Sequence, residues 1–405
     1  MNTGMNDTPL AELDDRFLDA LTRAWKDQYR WCTIYRRRCD TAGVSEAAGV
    51  RRIENGDLMA LPALESGLWK RSCGIFRELS RPGEGGSWAI SSSTSGDPSF
   101  RWYTREDVDE VNSSFMRAFN KIPAAVDTLA LLTPSLQELE RFSSQIRIGD
   151  EPVFLFMTHP IRSSLSRFGQ IQFISRTPGK TPQEQGIDMG HLSRVLRKAH
   201  ADREVIVLGY SVLFIKEALR HREFRQYSFN DRLYVVTGGG GWNGVKGDIE
   251  YAEVGKPEFV TAVARALGLS DVERQVIDIY GTAETGKAHS GYYCRRLGDY
   301  AFETDSAVKL YVVDPVHGEP VERGESGIPR WISPYGVQGS ASVVVDQDDD
   351  RVTVESIGPA GSVTRFTHVN RAPTGSESEM AEWMEREWDG CPVDLLEMAA
   401  KVMMK

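Results

Sequence analysis

From about residue 124 this chain of 405 residues alternates short apolar runs with amphipathic ones, and no other feature restricts its fold as much. The runs 129–132, 153–156, 205–208, 233–236 and 276–280 predict strands, and the periodic segments 136–146, 189–199, 212–222 and 259–267 predict helices. That order predicts an α/β fold with a largely parallel sheet, helices on its faces and ligand loops at the carboxyl ends of strands. Upstream, Leu10, Leu13, Phe17, Leu21 and Trp25 recur at three- and four-residue steps, predicting helix to about residue 40. The stretch 58–68, with Pro62, reads as a connector into the core. Past about 300 the texture turns β-rich, with short strands at 308–313, 341–345 and 352–354. The acidic run Asp346-Gln347-Asp348-Asp349-Asp350 forms the turn between the last two. The stretch 377–405, with Trp383, Trp388 and Cys391, reads as helical. No internal repeat is present.

Composition narrows the function. A 40% hydrophobic content suffices for a large core, and the net charge of −10 without a long basic block argues against nucleic-acid binding. No apolar stretch approaches the roughly 20 residues of a membrane span. The acidic, polar N-terminus lacks signal-peptide regions, so a cytoplasmic location is expected. The five cysteines (32, 39, 73, 294 and 391) and seven histidines are scattered, without disulfide or zinc spacing.

Three loops at strand ends carry the chemistry. The first, Ser91-Ser92-Ser93-Thr94-Ser95-Gly96-Asp97-Pro98-Ser99, follows the strand-like Trp88-Ala89-Ile90. Thr104-Arg105-Glu106-Asp107 after it reads as a helix start, a hydroxyl cap three residues before a carboxylate. Its hydroxyls and N–H groups can turn toward one anion, polyphosphate above all, though the composition also suits a polar linker. The second, Thr237-Gly238-Gly239-Gly240-Gly241-Trp242, lets a backbone without β-carbons approach a flat ligand, or serves as a flexible turn. The third, Gly281-Thr282-Ala283-Glu284-Thr285-Gly286, follows Tyr280. That ring can stack on a base while Glu284 holds a magnesium ion bridging phosphates, or Glu284 caps a helix. Gly281 to Ala288 also approaches the G-x-x-x-x-G-K-[ST] phosphate loop, but Ala288 stands where a hydroxyl must ligate magnesium.

In this order SSSTSGDPS (91–99), TGGGGW (237–242) and YGTAE (280–284) resemble the adenylate-forming (acyl-AMP) superfamily. The nearest resemblance is to its short branch of luminescence-type acyl-protein synthetases and phenylacetate-CoA ligase-like proteins. The connector from Pro62-Ala63-Leu64 to Leu68-Trp69-Lys70 is similar to the segment before the first loop in the acyl-protein synthetases. The likeness runs from roughly 60 to 350.

The resemblance implies a large, mostly parallel-sheet α/β core at 91–335 that binds nucleotide and acyl group. An N-terminal helical region (1–90) would pack on it, and a small, reduced C-terminal region (336–405) would follow. It implies ATP and Mg2+ as cofactors. Ser93, Thr94, Ser95 and Gly96 would wrap the triphosphate; Gly239, Gly240 and Gly241 would lie against adenine, with Tyr280 and the adjoining Gly281 on the other side. Glu284 would bind magnesium, and Asp346, or Asp348 in another register, would hold the ribose. Three departures stand out: Ser99 where relatives carry a lysine, Ala283 where a Ser or Thr donates to phosphate, and Gly358-Pro359 where a glycine-arginine pair is usual. No stretch resembles the full C-terminal domain that carries a catalytic lysine in longer relatives.

The activity implied is ATP-dependent activation of a carboxylic acid to an acyl-adenylate, followed by acyl transfer to a thiol. The acceptor would be Cys391, coenzyme A or an acyl carrier protein. The alternatives are direct amide or ester formation and a weakly active subunit working with an acyl-processing partner enzyme. His159, past the 153–156 run, either lines the acyl pocket or is an ordinary loop histidine.

Overall fold

Four of the five apolar runs pair side by side and in parallel. In the computed structural model Val126–Leu131, Ile206–Gly209, Leu233–Gly238 and Val276–Thr282 are neighbours in that order. Phe168–Phe173, which the sequence reading missed, adds a parallel strand outside Val126–Leu131. The structure describes residues 10–371 apart from 71–72, 92–97, 121, 157, 165–166, 177–185, 226, 247–248, 251 and 359–360. Ser93, Thr94, Ser95, Gly96, Cys391 and the helix expected at 377–405 therefore lie outside the described residues.

Both faces of these strands are covered, which is why they read as continuous apolar runs. Leu233, Val235, Val276 and Tyr280 face a cluster built on the helices Met189–Ala201, Val212–Leu219 and Lys256–Leu267. Tyr234, Val236, Ile277 and Ile279 face Val111 and Phe115 of the helix Arg105–Ala118.

Beyond Val276–Thr282 the sheet changes sense. A hairpin returns the chain as Lys287–Cys294, and Asp299–Glu303, Val363–Arg371, Asp350–Ile357 and Ser326–Ile332 continue it in antiparallel pairs. The 13-stranded sheet formed by the described residues is thus parallel in one half and antiparallel in most of the other. The α/β class expected from the sequence is the one observed, with its parallel pairing concentrated where the β–α alternation was read.

The first loop belongs to a second, four-stranded sheet. Ser87–Ile90 and Phe100–Tyr103 pair antiparallel on either side of it, and Glu151–Leu155, the fifth apolar run, lies parallel to Ser87–Ile90. Thr104 then caps Arg105–Ala118 as its spacing predicts. Its hydroxyl accepts from the Asp107 N–H (3.2 Å), and the Asp107 carboxylate accepts from the Thr104 N–H (3.1 Å). Such a cap contributes about 1 kcal/mol. The same carboxylate accepts the N–H groups of Gln338 (2.9 Å) and Gly339 (2.8 Å), tying the helix start to the β-rich region.

Helices Leu10–Trp31, Thr33–Thr41 and Glu46–Glu54 bury Phe17, Leu21 and Trp25 against a core containing Leu68, Trp69, Ile332 and Val344. Gly49 lies so close to Trp25 that a β-carbon there would meet the ring at 2.3 Å. Strand Leu64–Glu65 pairs in parallel with Val344–Asp346. Among the described residues no helix is long and apolar enough to cross a membrane.

Candidate functional site

The first loop is pinned at its mouth. The Ser91 N–H donates to the Ser99 carbonyl (3.0 Å), and the Ser99 N–H donates to Ser91 Oγ (2.9 Å). Ser99 then reaches out of the loop: its hydroxyl donates to Glu284 Oε1 in the third loop. Glu284 is 4% exposed and sits in the tight turn between Val276–Thr282 and Lys287–Cys294. The turn is closed by the Gly286 N–H on the Thr282 carbonyl (2.9 Å) and by the paired hydroxyls of Thr282 and Thr285 (2.5 Å).

Arg101, fully buried, fastens this turn from below. Its guanidinium donates to the carbonyls of Glu284 (2.6 Å), Ala283 (3.5 Å) and Gly336, and lies 4.5 Å over the ring of Tyr103. The Tyr103 hydroxyl donates to the Ala283 carbonyl (2.5 Å). The backbone carrying Glu284 is thus held by side chains of the strand that leaves the first loop. Neither Arg101 nor Tyr103 was singled out by sequence reasoning, because their partners are backbone atoms far along the chain.

The glycine loop is brought beside the turn by register. Gly238 pairs opposite Ile279, so both loops leave the same edge of the sheet. Gly239, Gly240 and Gly241 have φ of +77°, +65° and +90°, a left-handed run that residues with a β-carbon rarely adopt. Buried Asp278 joins the loop's two shoulders, accepting from Thr237 Oγ1 (2.7 Å) and Trp242 Nε1 (3.1 Å). Gly281, next to last in Val276–Thr282, pairs opposite Ala288, and a β-carbon there would approach the Lys287 carbonyl at 3.3 Å.

Tyr280 and Asp346 depart from the roles expected of them. The Tyr280 ring packs among Phe302, Phe366, Trp331 and His289 with centroids 5.9–6.1 Å away, and its hydroxyl donates to Asp350 (2.5 Å). Its ring is part of the aromatic core of the sheet and not an open stacking face. Asp346 is held by both arms of Arg330 (2.7 and 2.8 Å). Of the aspartates further on, Asp349 reaches the Ser99–Glu284 pair through Lys70, and Asp350 turns into the core. Asp349 stands 3.2 Å from Lys70 Nζ, and Asp350 meets Tyr280. Asp348 accepts from Ser66 Oγ (2.6 Å) and the Gly67 N–H (3.3 Å), and burial pushes its carboxyl above the usual range.

Lys70 is a cation that sequence reasoning did not place in the site. Besides Asp349, its ammonium lies 3.9 Å from the same Glu284 oxygen that Ser99 touches. Both contacts use Oε1. One carboxylate together with phosphate oxygens and waters is a donor set that suits magnesium. Among the described residues no group of three or more His, Cys, Asp or Glu is arranged to hold a metal.

The rival phosphate-loop reading fails on topology. Lys287 begins a strand, where a helix is needed, and its buried ammonium pairs with Glu110 (2.6 Å). His159 packs edge-on against Phe154 at 4.2 Å, and burial lowers its pKa. A cleft of about 630 Å³ beside Met59, Tyr311, Val321 and Ile357 involves none of the site residues.

No protein-family model matches the chain, and no curated protein matches it. Solved structures do match its fold. An open conformation of 2-hydroxyisobutyryl-CoA ligase in complex with 2-HIB-AMP and CoA covers 90% of this chain and 71% of its own, with a TM-score of 0.59 and 15% identity. The same ligase in the thioesterification state covers 91% and 68%, with a TM-score of 0.57 and 15% identity. In the postadenylation state with 2-HIB-AMP it covers 90% and 67%, with a TM-score of 0.58 and 13% identity. The fold is that of an adenylate-forming ligase. At this identity the shared property is the backbone path. On it, this chain carries its own cluster of Lys70, Ser99, Glu284 and Asp349.

Proposed function

We propose that this chain uses ATP to activate a carboxylic acid, forming an acyl-adenylate and pyrophosphate, and then passes the acyl group to a thiol. The observation that carries the reading is the Ser99–Glu284 hydrogen bond, which joins residues 185 apart and draws the first loop onto the third. The glycine loop beside them, at the carboxyl edge of parallel strands, supports a nucleotide spanning all three.

In the first step a carboxylate oxygen bonds to the α-phosphorus as the bond to pyrophosphate breaks; no proton moves. What the protein must supply is orientation of two anions and relief of their repulsion. We assign the triphosphate to Ser93, Thr94, Ser95 and Gly96, and the adenine face to Gly239, Gly240 and Gly241. Asp349 replaces Asp346 as the aspartate nearest the nucleotide. Glu284 would hold the magnesium ion that accompanies ATP and neutralises its phosphates. We keep 91–335 as the core of the nucleotide and acyl site, with Lys70 from 1–90 and Asp349 from 336–405 standing at its edge.

In the second step a thiolate attacks the acyl carbon and AMP leaves. Burial pushes the Cys32 thiol up to about 11 and the Cys39 thiol up to about 12, so neither supplies a thiolate near neutrality. We keep coenzyme A, a carrier protein and Cys391 as the candidate acceptors. Acid-dependent ATP–pyrophosphate exchange across a panel of carboxylic acids is the expected result. Its absence would favour the second reading, a partner-dependent subunit, to which the loss of cation and hydroxyl at Ser99 and Ala283 points. Labelled acid retained after denaturation by the wild type but not by Cys391→Ser would identify that cysteine as the acceptor.

A further inference from the structure

The first loop, SSSTSGDPS, contains no lysine or arginine to meet a ligand that carries several negative charges. The position at its end is Ser99, which carries no charge. Yet a cation stands beside that position. Lys70 forms an antiparallel backbone bridge with Ser99, and its ammonium lies 3.9 Å from the Glu284 oxygen to which the Ser99 hydroxyl donates. The same ammonium is 3.2 Å from Asp349. Connector, first loop, third loop and acidic run therefore meet around one nitrogen.

Its placement is rigidly set. Leu68 and Trp69, the residues before it, are fully buried, and Trp69 Nε1 donates to Ser340 Oγ (3.0 Å). The Lys70 N–H donates to the Gly67 carbonyl (3.0 Å), while Ser66 and Gly67 are fastened to Asp348. With the backbone that leads into Lys70 anchored in this way, the ammonium is held at the junction. Its side chain is 11% exposed, so it meets the site edge and not bulk solvent. A partly desolvated ammonium shared between two carboxylates is well poised to add a phosphate oxygen, because charge-assisted bonds strengthen as water is excluded.

The geometry points to Lys70 as the phosphate-contacting cation of this site, delivered from the segment before the first loop in place of a lysine at position 99. The assignment rests on the adenylation reading above and adds a residue to it. Holding Glu284 and Asp349 together is the competing role, and it makes different predictions.

The test measures MgATP and tripolyphosphate binding by calorimetry, with exchange kinetics, for wild type, Lys70→Met, Lys70→Arg and the double variant Lys70→Ser with Ser99→Lys. Lys70→Met should weaken both ligands and raise the KM for ATP about 10- to 100-fold, the value of one charge-assisted hydrogen bond, with the KM for the acid unchanged. The double variant should recover most of the loss, since it returns an ammonium to the same spot from the other strand. ATP binding by Lys70→Met equal to wild type would overturn the assignment while leaving adenylation intact. So would a loss spread equally over both substrates that the double variant does not repair. Should Lys70→Met fail to fold, the Arg and double variants decide: near-wild-type binding by both supports the assignment, and loss in both overturns it. A wild type that binds neither ligand overturns adenylation itself.

Discussion

Two buried ionic clusters in this molecule use the same kinds of side chain and reach opposite balances. Beneath the helix Arg105–Ala118, Asp305 is held by Arg117 (2.8 and 2.9 Å) and by Ser114, while Glu110 pairs with both Arg117 (2.7 Å) and Lys287 (2.6 Å). Each acid there has a cation matched to it. At the loops, Glu284 and Asp349 share the ammonium of Lys70, with Asp348 close by. The titration directions follow. Burial pushes the Asp305 carboxyl up, but hydrogen bonds from Arg117, the Ala307 N–H and Ser114 outweigh it and hold the carboxyl below the usual range. Burial raises Asp348, and the Ser66 hydrogen bond does not offset it. A matched cluster stabilises the fold. An acid-rich one at strand ends leaves charge for a ligand to complete, and that difference separates a structural network from a site.

The largest effect expected from this contrast is on the matched cluster. Arg117→Ala leaves Asp305 buried without its guanidinium and should lower unfolding stability by about 3 kcal/mol in denaturant melts, since Arg117 is itself partly exposed. Unchanged stability would dissolve the distinction. Next comes Glu284→Gln, which should cost about 100-fold in acid-dependent pyrophosphate exchange while the thermal midpoint holds or rises. A neutral amide is a poor magnesium ligand, and its substitution relieves crowding among the acids. Wild-type exchange in that variant would remove Glu284 from the metal role.

Smaller still, Asp348→Asn should stabilise the chain by about 1 kcal/mol at neutral pH, because an amide oxygen keeps the Ser66 bond without the buried charge. The two clusters should also part company in acid. Asp305, depressed when folded, contributes stability above the ordinary carboxylate range that is lost as pH falls, so the Arg117→Ala deficit should shrink below about pH 4. Asp348, raised when folded, contributes stability only below that range and loses it as pH rises through its folded value. The Asp348→Asn gain should therefore vanish below about pH 4. Melts of both variants against pH check the opposite trends; parallel curves would show the clusters to be alike.

Much of the frame was readable before any coordinates. The Phe17, Leu21 and Trp25 stripe is buried as its spacing requires, and the Thr104–Asp107 box starts its helix. Both signals lie within a few residues, where local geometry decides the outcome. The register of the acidic run was not readable. Asp346 and Asp350 are equivalent in composition, and the strand pairing alone sends one to Arg330 and the other to Tyr280. Glu284 and Lys287 illustrate the same divide. Three residues apart on one hairpin, they end in different clusters because one lies in the turn and the other begins the returning strand.

What the amino-acid order determined by itself is therefore the α/β class, four of the parallel strands and the helices between them, since each depends on periodicity or on residues close in sequence. Which side chains share a space was decided only by tertiary structure. Lys70 meets Glu284 and Asp349 because the connector crosses beside Ser99, and Tyr280 became core because the antiparallel half of the sheet folds aromatic rings around it. Contacts between distant segments depend on strand register and crossing, and those are properties of the assembled sheet that no local pattern encodes.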